Sequence, residues 1–126
     1  MKAITIHPVW AWAIVHGHKL VENRTWRTKH RGPLLIHASA DSPASRASDA
    51  RAREELARLG VEVPETVPRG AVVGLVDLID VIEQSAVAAD PLACGPLCWI
   101  LSNPRPLPRP IPCKGRQQLW ECSCLS

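Results

Sequence analysis

The stretch Gly17-His18-Lys19-Leu20-Val21-Glu22-Asn23-Arg24-Thr25-Trp26 decides how the chain is to be read. Its glycine is a natural helix stop, because glycine reaches the left-handed C′ conformation without steric cost. Before it, Pro8 suits a first helical turn, and Trp10, Ala13 and Ile14 recur at helical spacing, so a short helix is predicted over residues 9–16. After it, residues 22–26 read as a strand. Period-two geometry then puts Glu22, Arg24 and Trp26 on one face, and Asn23 and Thr25 on the other. An acid, a forked donor and a flat aromatic together can accept from an exocyclic amine, hold a phosphate or carbonyl oxygen, and stack on a ring. On composition alone the commoner outcome is plainer: a surface ion pair of Glu22 with Lys19 or Arg24, beside a core tryptophan.

Outward from this stretch the elements are short. Residues 2–6 alternate as a first strand. Trp10 and Trp12 cannot face the same way on one short helix, so one is expected in the core and the other exposed or against a cleft. After a basic turn over residues 27–32, Leu34-Leu35-Ile36-His37-Ala38-Ser39 is an apolar strand ending in polar residues. His37 on such a strand is most often a hydrogen-bonded core or rim histidine. It joins Ser39 as a candidate ligand residue only because of what precedes it.

Ser42-Pro43 is a cap followed by a first-turn proline, and residues 44–59 make the most secure helix, closed by Gly60. Its apolar stripe is thin (Ala47, Ala50, Leu56, Leu59), which predicts a surface helix with a solvated charged face. Residues 70–81 carry the strongest strand signal. Asp77 and Asp80 follow where that strand emerges, and edge solvation accounts for them more simply than acid–base work does. Residues 83–96 read as an irregular excursion and 97–101 as another strand, carrying Trp99. Prolines at 104, 106, 108, 110 and 112 predict an extended polyproline-like strap. Residues 119–121 close the chain as a strand. The sum is one domain over residues 1–126, an α+β fold of five or six short strands with two helices.

The chain has 126 residues, 46% of them hydrophobic, so it is long enough for a core without staples and disorder is not expected. Tyrosine and phenylalanine are absent, and any stacking function must use the five tryptophans. The net charge of +3 is too mild to prove a nucleic-acid partner. Two acid-free basic runs are more informative: Arg24, Arg27, Lys29 and Arg31, then Arg105, Arg109, Lys114 and Arg116. If the fold joined them they would make a positive rim suited to phosphates; separate solvated loops are the alternative. No apolar leader or long apolar span is present, so no membrane association and a cytoplasmic location are expected. The five cysteines then read as reduced thiols. With no CxxC pair among them, a structural zinc is the minor alternative, and no metal or cofactor is expected.

The motifs also resemble a known family. Gly17-His18-Lys19-Leu20-Val21-Glu22-Asn23-Arg24 fits the GxKxxExR signature of the ASCH family, within the PUA-like superfamily. Further matching blocks follow in order: Arg31-Gly32-Pro33-Leu34, Gly74-Leu75-Val76-Asp77-Leu78, Gly95-Pro96-Leu97-Cys98-Trp99, and Pro112-Cys113-Lys114-Gly115-Arg116 with Leu119-Trp120. The chain is similar to a stand-alone, bacterial-type ASCH protein. The resemblance implies a small PUA-like β-barrel of about five or six strands, two or more flanking helices, and a cleft lined by the signature.

PUA-like domains bind RNA or modified bases in such clefts. Some small ASCH proteins resemble amidohydrolases of a modified cytidine, and others resemble metal-assisted ribonucleases. The amidohydrolase lysine carries over to Lys19, but the position of its threonine nucleophile is Glu22 here. A second departure, at His7-Pro8-Val9, reshapes one wall of the cleft. The expectation is therefore RNA or modified-nucleotide binding by Lys19, Glu22, Arg24, Trp10, Trp26, His37 and Ser39. The alternative is a small hydrolase using Lys19 and Glu22 as catalytic groups. A protein-interaction domain built on the proline strap and an exposed tryptophan is a third reading.

Overall fold

A computed structural model describes residues 1–124. The chain forms strand β1 (Lys2–Ile6), helix α1 (Pro8–Val15), β2 (Val21–Arg24), β3 (Gly32–Ala38), α2 (Pro43–Arg58), β4 (Ala71–Glu83), β5 (Leu97–Pro112) and β6 (Leu119–Glu121). A single 3₁₀ turn, Gln84–Val87, follows β4. The strands make one six-stranded sheet in the order β2-β5-β4-β3-β1-β6. All neighbours are antiparallel except β1 and β3, which run parallel. Register shifts interrupt the β3–β4 ladder once and the long β4–β5 ladder three times. Each bulge bends its strand and adds twist, so the sheet curls into a half-barrel with β2 and β6 as its edges. This is the expected α+β architecture.

Helix α1 ends as predicted. Gly17 takes φ +81°, its N–H donates to Ile14 O at 3.1 Å, and His18 N–H reaches back to Ala13 O at 2.8 Å. The two bonds satisfy carbonyls that would otherwise be orphaned, the Schellman arrangement that glycine permits. Its N-terminus has no local side-chain cap. Instead Asp49, from the middle of α2, accepts from Val9 N–H at 2.9 Å and pairs with Arg69 at 2.8 Å. Helix α2 carries its own capping box: Ser42 Oγ accepts from Ser45 N–H at 3.0 Å and Ser45 Oγ from Ser42 N–H at 2.9 Å.

Three expectations are corrected. The buried face of α2 is Ser45, Ser48, Asp49, Ala52 and Leu56, while Ala47, Ala50 and Leu59 are exposed. An apolar stripe misleads here, because the helix faces α1 with the polar groups that α1's end needs. The strand after Gly17 stops at Arg24, so only Glu22 and Arg24 share its face. The proline segment is no loose strap but the second half of β5, paired to β4 from Arg105–Leu75 to Pro112–Ala71. Prolines at every second position can lie in a strand whose far side has no partner. That is so here, because β2 pairs only as far as Ile100. Cys113, next in the odd-numbered series, still donates its N–H inward to Gly70 O at 3.1 Å.

The main core gathers Ile4, Ile14, Leu34, Ile36, Val76, Leu78 and Trp99 under α1. Gly74 lets that helix approach: a Cβ there would lie 2.5 Å from Val15 Cγ1 and 2.8 Å from Arg105 O. No helix among the described residues is long and apolar enough to cross a membrane.

Candidate functional site

The turn after α1 carries Lys19 inward, and β2 then presents Glu22 and Arg24 two residues apart on one face. Lys19 Nζ donates to Glu22 Oε1 at 3.2 Å, and Arg24 NH2 meets Glu22 Oε2 at 2.8 Å. One carboxylate thus holds two cations. The trio is no surface ion pair, since side-chain exposure is 4% for Lys19, 11% for Glu22 and 22% for Arg24. Lys19 also lies 5.0 Å from the centroid of the Trp10 ring, within cation–π range. Arg24 NH2 donates further to Thr5 O at 3.1 Å. That bond ties edge strand β2 to β1 across the opening of the curled sheet. The Arg24 Nε–H is buried and has no hydrogen-bond partner among the described residues.

These groups line a cleft of about 420 Å³, in the size range of sites that take one small molecule. Trp10, Lys19, Glu22, Arg24 and Ser39 all lie on its walls. Ser39 Oγ is 3.3 Å from His7 Nδ1, which fixes the wall where β1 and β3 end side by side. Neither helix tryptophan is a buried core residue, since both are half-buried at the edge of the core. Trp10 faces the cleft, whereas Trp12 packs with the His16 and His18 rings at centroid distances of 5.2 and 5.1 Å.

Two candidates lie elsewhere. Trp26 is a bend residue packed edge-on against Trp99 with centroids 4.7 Å apart, and its carbonyl accepts from Trp99 Nε1 at 3.2 Å. Strand geometry would have aimed it with Arg24, but β2 ends first. His37, 1% exposed, points away from the cleft: Nε2 lies 2.7 Å from Cys113 O, Nδ1 lies 3.2 Å from Thr5 Oγ1, and the ring packs edge-on against Trp120. Its neighbour two residues on, Ser39, lies beyond the end of β3, where the pleat no longer governs direction.

The basic runs do not merge into one rim at the cleft. Only Arg24 lines it. Arg27 donates to Val81 O, Arg31 lies 3.8 Å from Asp80, and Arg105 pairs with Asp77 at 3.0 Å. The two aspartates are thereby accounted for as edge partners of arginines.

Asn23, which sequence reasoning passed over, organises the opposite wall. Its Oδ1 accepts from Cys94 N–H at 2.9 Å and Gly95 N–H at 3.0 Å, and its Nδ2 donates to Leu92 O at 3.0 Å. Three bonds from one amide anchor the excursion after β4 onto β2, and Leu92 and Cys94 line the cleft as a result. The available signal was an asparagine inside a strand, where that residue is disfavoured without a partner to hold. Burial beside it pushes the Cys98 thiol above its ordinary range.

Comparison with known proteins places this geometry. The family model described as the ASCH domain matches residues 4–118. Activating signal cointegrator 1 from Homo sapiens is 34% identical over 125 residues, covering 94% of this chain, and its Mus musculus counterpart is 33% identical over the same length. The chain spans only 22% of the length of those relatives. Among solved structures, a mutant of the ASCH protein of Zymomonas mobilis superposes with a TM-score of 0.60 at 16% identity, covering 98% of this chain and 91% of that one. A second structure of ASCH from the same organism gives 0.55 at 18% identity, covering 88% and 72%. These likenesses show a shared fold, and the sequence match extends it to kinship: this chain belongs to the ASCH domain family.

Proposed function

We propose that residues 1–126 act as one ASCH domain that binds a nucleotide of RNA, or a modified nucleotide, in the cleft. The observation that carries this reading is the convergence of Lys19, Glu22 and Arg24 beside the Trp10 ring. A carboxylate offers about four lone-pair sites, so Glu22 can hold both cations and still accept from a base amine. The free Arg24 Nε–H seeks an acceptor such as a base carbonyl or phosphate oxygen. Trp10 supplies the stacking surface, worth about 1–3 kcal/mol per base. Ser39 and His7 add short polar contacts on the far wall. With Lys19 and Arg24 sharing one acid, the cleft carries little surplus charge. The modest size of the cleft and that balance favour one nucleotide over a long phosphate track.

Fluorescence titration with a panel of ribonucleotides, modified nucleosides and short RNAs, at several salt concentrations, tests this. Trp10→Ala is expected to weaken binding by about 1–3 kcal/mol, and Arg24→Gln to weaken it further, while Arg109→Gln, outside the cleft, leaves it unchanged. Affinity for none of these ligands, or affinity indifferent to both cleft variants, overturns the reading. Hydrolysis of a modified nucleoside or of RNA is the competing activity. Turnover of acylated nucleosides that disappears in Lys19→Ala and Glu22→Ala would favour it instead.

A further inference from the structure

Three cysteines outside the cleft converge on the opposite edge of the sheet. Cys113 follows the last residue of β5, and Cys122 and Cys124 follow β6. Their sulfur atoms all lie within 4.8 Å of one another. The backbone that brings them together is held independently at several points. Cys113 N–H donates to Gly70 O, its carbonyl lies 2.7 Å from His37 Nε2, and Cys122 N–H donates to Met1 O at 2.9 Å. The intervening turn is wedged in place as well: a Cβ at Gly115 would lie 2.7 Å from both His37 Cε1 and Thr5 Oγ1.

We propose that Cys113, Cys122 and Cys124 form a three-thiolate zinc site that fastens the edge strand β6 to the end of β5. Tetrahedral zinc with Zn–S bonds near 2.3 Å sets its sulfurs about 3.8 Å apart, so the three thiols need to close by about 1 Å or less. Packing alone accounts for Cys122, which is buried among Ala3, Leu35, Val72 and Trp120. It does not account for Cys124, which is exposed yet directed at the same point. A disulfide would use two sulfurs and strand the third beside it. A divalent cation takes the place of the three thiol protons and neutralises most of the charge of the thiolates brought together. The complex of three thiolates with zinc carries a net charge of −1, and Lys114 follows Cys113 directly in the chain. Three protein ligands leave the fourth position to water.

The test uses the full chain, reduced and freed of metal. Chelator-buffered zinc titration is expected to load one ion per chain and to raise the thermal midpoint, and Co²⁺ in its place should give thiolate-to-metal charge-transfer absorption. Loss of a partner that only orients a ligand weakens metal sites about 10–100-fold, so Cys113→Ser and Cys124→Ser should each weaken zinc by at least about 100-fold. Cys94→Ser, outside the cluster, should leave zinc affinity unchanged. If Cys113→Ser fails to fold, the exposed Cys124→Ser decides the matter. Overturning results are no zinc retained by the reduced chain, equal weakening in Cys94→Ser, or a disulfide within the trio that persists under thiol reductant.

Discussion

Replacing Glu22 by alanine should be among the most destabilising single changes in this protein, and by more than replacing its lysine partner. Glu22 is the only acid in the trio, with Lys19 at 3.2 Å and Arg24 at 2.8 Å. Truncating it leaves two cations against each other. Lys19 is 4% exposed and has little water to turn to, whereas Arg24 keeps its bond to Thr5 O at 3.1 Å. Removing one partner of a buried pair costs about 3–5 kcal/mol, a large share of a total stability of about 5–15 kcal/mol. Lys19→Met takes away a buried charge while Glu22 remains paired to Arg24, so its cost should be about 1–2 kcal/mol, the range of one lost hydrogen bond. Adding Lys19→Met to Glu22→Ala should recover part of the loss, because the stranded ammonium is gone. Urea unfolding followed by circular dichroism measures all three, with an unchanged slope required so that midpoints report stability alone. A Glu22→Ala cost below about 1 kcal/mol, or one no larger than that of Lys19→Met, would refute the reasoning by showing that water reaches the trio.

Two further outcomes follow from the same contacts. Asp49→Ala removes the acceptor for the first turn of α1 and strands Arg69, so it should cost about 1–3 kcal/mol in urea unfolding, while Asp49→Asn keeps the acceptor to Val9 N–H and should cost less; equal costs for the two would contradict the cap. The carboxyl of Asp77 is held below its usual 3.8, first by the Asn103 side chain and then by Arg105. Its folded value lies below its unfolded one, so its contribution is present above about 3.8 and is lost as pH falls through the folded value. The stability gap between the natural chain and Asp77→Asn should therefore shrink on acidification, and a gap independent of pH would sink the assignment.

Much of this molecule could be read locally. Gly17 closes α1, Ser42-Pro43 opens α2, and the apolar run after Gly70 is a strand, because caps, stops and buried runs depend on neighbours a few residues away. The pairing of Lys19, Glu22 and Arg24 was likewise within reach, since strand alternation sets two of them on one face and the turn adds the third. Trp26 was misdirected because the strand ends two residues before it, and element ends are fixed by partners rather than by propensity. The proline segment was misread for a similar reason. Whether alternate prolines can join a ladder depends on whether the other side of the strand is occupied, and the stopping point of β2 decides that.

What the sequence by itself determined was the set of elements and the chemistry of the signature, both written in short-range pattern and turn residues. What only the tertiary structure decided was which groups meet across long separations: Arg24 with the Thr5 carbonyl, Asn23 with the backbone at Leu92, Cys94 and Gly95, Asp49 with the first turn of α1, and Cys113 with Cys122 and Cys124. The physical reason is that such meetings depend on the curl and register of the whole sheet. Bulges spread along β4 and β5 set that curl, and no single stretch of residues encodes it.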